Sequence, residues 1–99
     1  MELYVPKFQQ KEILEMLAGE GVAFEATGKT FFQVVEGKER LEVAEVKANL
    51  LETEAPAIYD EDSLRNLRAF RLPSGKKILL TDTDGNFVRL VEPPPGWER

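Results

Sequence analysis

The sequence contains no cysteine and no histidine. Without cysteine there can be no disulfide, no thiolate catalysis and no zinc–sulfur site. Without histidine the commonest general base and the commonest transition-metal ligand are missing. Amides are scarce as well: Asn and Gln together number six, against 27 Glu, Lys and Arg. That balance is the one thermophile proteins lean towards, where charge networks help and labile amides are avoided. Apolar runs are only a few residues long, so no segment is expected to span a membrane. The opening "MELYVPKFQQ" lacks the basic and apolar regions of a signal peptide, and a cytoplasmic location is expected.

What is present suits one modest globular core: 99 residues, 42% hydrophobic and 31% charged. The organisation expected is a single α+β domain over residues 1–92 and a Pro-rich tail over 93–99. The net charge of −5 is unevenly spread. Residues 1–62 carry 6 basic and 14 acidic side chains, and residues 63–99 carry 7 basic and 4 acidic.

"LYV", stopped by Pro6, reads as an edge strand. In the stretch that follows, Ile13, Leu14, Met16 and Leu17 share one side of a helical wheel, with Lys11, Glu12 and Glu15 opposite. Pro6 suits the start of this helix, and Gly19 or Gly21 its end. Phe8 lies off the apolar stripe. "VAFEATGKTFFQVVEGKERLEV" then reads as a meander, with Gly28-Lys29 and Gly37-Lys38 as hairpin turns. Residues 30–36 are apolar on both faces and are expected to form an interior strand. Residues 39–51 are expected to be one long strand with a bulge near Ala44-Glu45. Residues 52–62 read as loop, with Asp60 or Asp62 capping a short helix at "SLRNL". A second meander follows, in which Phe70, Leu72, Ile78, Leu80, Val88 and Leu90 are the expected inward set. The fold expected is an N-terminal helix packed on a curved antiparallel sheet built from two meanders, with a half-open barrel as the variant.

The loudest motif is "TDTDGN". Asp82, Asp84 and Asn86 alternate like the first ligands of a calcium-binding EF-hand loop. Counting from Asp82, however, the sixth and twelfth positions are Phe87 and Pro93, where that loop needs Gly and a bidentate carboxylate. Asp-Gly between apolar strands is instead a strong hairpin signal. A turn is expected, with no metal and no cofactor. The carboxylate pairs Glu52/Glu54 and Asp60/Asp62 lie in polar sequence, and Ser63 and Ser74 have no histidine to activate them. "PSGKK" lacks the upstream glycine of a phosphate-binding loop.

With no catalytic motif, the function expected is non-catalytic: a small regulatory or adaptor protein that binds another protein or a second copy of itself. The contact is placed on Trp97, on Pro94 and Pro95 of the stiff tail, and on Arg71 and Arg89, because Trp and Arg anchor interfaces. The first alternative is a nucleic-acid or phosphate-binding module. It would use a cross-strand row of Arg71, Lys77 and Arg89, flanked by Arg65, Arg68 and Lys76, to hold an anion. Against nucleic acid stands the acidic first half of the chain. The second alternative is a small carboxylate-dependent enzyme.

Overall fold

The computed structural model describes residues 1–35, 39–53 and 67–93. It is an α+β fold of one N-terminal helix and two antiparallel sheets. Strand β1 (Glu2–Pro6) leads through a short 3-10 turn (Lys7–Gln9) into helix α1 (Gln10–Gly19). Strands β2 (Phe24–Val35) and β3 (Glu39–Ala48) complete the first sheet, in the order β1-β3-β2. Strands β4 (Leu51–Thr53), β5 (Leu67–Arg71), β6 (Ile78–Asp82) and β7 (Phe87–Val91) make the second, in chain order. No described helix is long and apolar enough to cross a membrane.

The helix forms as its periodicity dictates. Ile13 and Leu17 are buried and Leu14 packs against the same core. Met16, grouped with them on the wheel, is instead 46% exposed. Phe8 sits in the 3-10 turn and is also exposed. The core beneath the helix unites both sheets: Leu3, Val5, Val46 and Ala48 of the first meet Phe70, Leu72 and Leu79 of the second. Each large side chain buried in this way is worth about 1.5–3 kcal/mol of transfer free energy.

Gly28-Lys29 is not a hairpin turn. Strand β2 runs through it, and both of its halves pair with β3. The register moves from Ala26↔Val46 to Thr30↔Ala44, so Thr27, Gly28 and Lys29 together oppose Glu45. Gly28 takes the positive φ (81°) that this wide bulge demands. The Thr27 hydroxyl holds it in place, accepting from the Lys29 amide and donating to the Glu45 carbonyl. The irregularity expected near Ala44-Glu45 therefore occurs, but the extra residues belong to the partner strand. Strand β3 is regular there, pairing continuously with β1 from Val43 to Lys47. The second Gly-Lys pair falls outside the described residues, as do residues 60–66 of the segment expected to hold a capped helix; Leu67, the last of that segment, is in strand β5.

The strand expected to reach residue 51 ends at Ala48. The chain crosses to the second sheet at Asn49 and Leu50, and β4 pairs with β5. The crossing is held by the Asn49 amide, which bonds the Ala23 carbonyl at 3.1 Å.

The second meander is present, but its inward set differs. Phe70 opposes Leu79, and Leu79 opposes Leu90. Ile78 and Leu80 therefore lie on the other face, where they form a second cluster with Ala69. Val88 is the extra residue at a register shift and is 40% exposed. Strand β6 is buried on both faces, which is why it reads "ILL" rather than as a clean alternation.

"TDTDGN" is a turn. One carboxylate oxygen of Asp82 accepts the amides of Asp84 and Asn86, both at 2.9 Å, and the other accepts the Asn86 side-chain amide. These bonds occupy the carboxylate as an Asx turn does. The turn also joins the sheets, through an isolated parallel bridge between Tyr4 and Asn86.

Candidate docking surface

Strand β3 is the centre of the first sheet, and β1 covers only its Val43–Lys47 part. The outer parts of β2 and β3 thus continue as a two-stranded arm, from Phe31↔Val43 to Val35↔Glu39. Residues 30–35 of the stretch expected to be interior lie on the edge of the sheet. Phe31 is 39%, Phe32 63% and Val34 59% exposed. Because side chains alternate along a strand, Phe32 and Val34 share one face and Phe31 takes the other. Among the described residues no strand pairs with the outer edge of β2, whereas the opposite edge of the sheet, on β1, is met by Gly85 and Asn86.

The two faces of the arm differ. Phe31 is braced: its ring meets Tyr4 edge-to-face, with centroids 5.7 Å apart, and it opposes the buried Val43. Beyond Tyr4 lies Glu45, 8% exposed, whose carboxylate accepts the phenol hydrogen at 3.4 Å. Burial, then the charge of Glu45, pushes the Tyr4 phenol above its ordinary value. On the other face the Arg40 guanidinium lies over Phe32, 5.2 Å from the ring centroid. Aromatic and branched apolar side chains exposed on both faces of an edge strand form a surface suited to strand addition.

The basic row expected from the sequence does not assemble on one face. Arg71 opposes Ile78 and Arg89 opposes Leu80, so these two share the face opposite the main core. Lys77 is adjacent to Ile78 and has the other parity; its ammonium lies 3.7 Å from Glu92. The reason is register: the "PSGK" turn pairs residues of unlike parity, Arg71 with Ile78. Arg68 lies over the Phe70 ring and grips Glu52 with two nitrogens, at 2.6 and 3.0 Å. That hydrogen bond holds the Glu52 carboxyl below its usual value. Lys76 is exposed in the turn, where its amide bonds the Ser74 hydroxyl. Arg65, Pro94, Pro95 and Trp97 lie outside the described residues.

A depression lies between the end of α1 and β7, with Met16, Phe87 and Leu90 as its apolar lining and Glu15, Glu20, Lys77 and Arg89 around them. Among the described residues no group of three or more acidic side chains could hold a metal ion. No family model matches the sequence, no curated protein is detectably similar to it, and no solved structure matches its fold. The edge of β2 escaped the sequence reading because apolar residues on both faces of a strand look the same whether the cover is the protein's own core or something else. The signal that could have found it is the arm's length: β2 outruns the short β1.

Proposed function

We propose that this chain is a non-catalytic association protein, a small regulatory or adaptor module that works by contact with another polypeptide. The observation that carries the reading is the apolar outer edge of β2, with Phe31, Phe32 and Val34 exposed on its two faces. Proteins blunt exposed edges with charge, proline or shortness. The arm of β2 uses none of these between Thr30 and Val35, whereas β4 at the edge of the other sheet is only three residues long. An apolar edge that no described strand covers is best accounted for by a partner that covers it. The split of the basic residues between two faces weakens the anion-binding reading, and the pairing of Arg68 with Glu52 weakens it further.

Site-specific photo-crosslinking tests the reading. A photoreactive side chain at Gln33, on the arm, is compared with one at Lys11, on the exposed side of α1. In native-host lysate Gln33 should give a discrete, saturable adduct that Phe32→Ser removes, and Lys11 should give none. Equal labelling at both positions, or an adduct indifferent to Phe32→Ser, overturns the reading.

A further inference from the structure

We infer that the depression between α1 and β7 binds a free α-amino acid with an apolar side chain, its ammonium held by Glu15 and its carboxylate by Arg89. The site is separate from the arm of β2 and does not rest on the association reading above. Its floor is apolar. Phe87 and Leu90 pack on the main core and are half-buried, and Met16 beside them is left exposed. The depression measures about 470 Å³, inside the range of roughly 300–1,000 Å³ usual for small-ligand sites, which pair an apolar lining with a few convergent polar groups.

The charges around this floor select the ligand. Glu15 and Glu20 come from α1 and its C-terminal cap, and Lys77 and Arg89 come from the second sheet, so the two signs stand on opposite walls. One member of each pair is occupied. The Glu20 carboxylate accepts the Ser74 hydroxyl, and the Lys77 ammonium lies 3.7 Å from Glu92. Glu15 and Arg89 are exposed, and neither side chain has a hydrogen bond or an ion pair with any described residue. Arg89 sits on the face of β7 away from the main core, but β7 is an edge strand, and the long side chain reaches the rim round that edge. What is left is one anion and one cation across an apolar floor. A ligand with one ammonium, one carboxylate and one apolar group answers all three. In an α-amino acid both ionic groups sit on a single carbon, and the side chain leaves it in a third direction. Arg offers a planar fork of donors to the carboxylate, and Glu accepts from the ammonium. An apolar acid without the amine would leave Glu15 unanswered and repelling, and an apolar amine without the acid would do the same at Arg89.

The experiment is an amide-resolved NMR titration of the full chain with L-leucine. N-acetyl-leucine, leucine amide and alanine are the controls, lacking in turn the ammonium, the carboxylate and most of the apolar side chain. Leucine should shift the amides of residues 15–20 and 87–90, and bind at least about ten-fold tighter than each control. Glu15→Gln and Arg89→Gln alter exposed side chains, so core resonances should stay in place while each lowers the affinity for leucine about ten-fold. Glu15→Gln should not weaken N-acetyl-leucine, which has no ammonium to lose. Equal affinity of leucine and either of its blocked forms overturns the amino-acid assignment. Absence of shifts at these residues at tens of millimolar leucine, or binding that both substitutions leave unchanged, overturns the site itself. Neither result bears on the photo-crosslink at Gln33, so the two readings fail separately.

Discussion

The Tyr4 amide donates to the Gly85 carbonyl at 2.9 Å, and this bond couples the first strand of one sheet to the last turn of the other. Gly85 has a φ of 90°, and a side chain placed on it would meet the Glu2 carbonyl oxygen at 3.0 Å and the Tyr4 ring at 3.5 Å. Gly85→Ala thus suffers both backbone strain and a clash, with a loss of about 1–3 kcal/mol or more. Gly28 has a similar φ but nothing within 4 Å of an added side chain. Gly28→Ala should cost only the strain, about 1 kcal/mol. Thermal unfolding of both variants gives the comparison; equal losses would mean that the turn does not press on β1.

Asp82→Ala removes three hydrogen bonds and leaves two backbone amides and the Asn86 side-chain amide without their acceptor. The expected loss is about 1–3 kcal/mol by denaturant titration. Calcium should not stabilise the wild-type chain, because both Asp82 oxygens already accept N–H donors. A calcium-dependent rise in melting temperature, lost in Asp82→Ala, would contradict this.

The two faces of β6 give a direct test of register. Leu79 and Leu80 are adjacent, point to opposite faces and are both almost fully buried. Each replaced singly by Ala should destabilise by about 2–5 kcal/mol. Leu51, 80% exposed, should tolerate the same change with little loss. A near-neutral Leu80→Ala would restore a one-sided sheet.

Tyr4 predicts the alkaline behaviour. Its phenol ionises above the ordinary value in the folded chain, because burial and Glu45 disfavour the anion. Its contribution is therefore complete below pH about 10, the value of a free tyrosine, and is lost as pH rises through the folded value. Tyr4→Phe should flatten the decline in stability above pH about 10. An unchanged decline would assign the alkaline loss to other groups.

The helix, the second meander and the "DG" turn were legible because each is written locally: apolar spacing in "ILEML", paired turn residues, and Asp before Gly. The register of β5 on β6 was not. Whether Phe70 faces Leu79 or Ile78 depends on how many residues the "PSGK" turn spends, and one residue reverses a whole face. Gly28-Lys29 failed for a related reason. A positive-φ glycine serves a bulge as well as a hairpin, and only the common partner β3, some twenty residues away, decides between them. At the candidate surface, "TFFQVV" identified a strand with two apolar faces, but exposure is a property of neighbours that the stretch itself does not encode.

The strands of the first sheet all precede Asn49, and those of the second all follow Leu50. Among the described residues neither sheet borrows a strand from the other half of the chain, yet the main core is lined from both. A cut at this crossing would yield two fragments, each able to pair its own strands but left with half a core. Such pieces have the makings of a complementing pair, silent apart and restored on mixing. Their reassembly would depend on Leu3, Val5 and Val46 finding Phe70, Leu72 and Leu79 across the break.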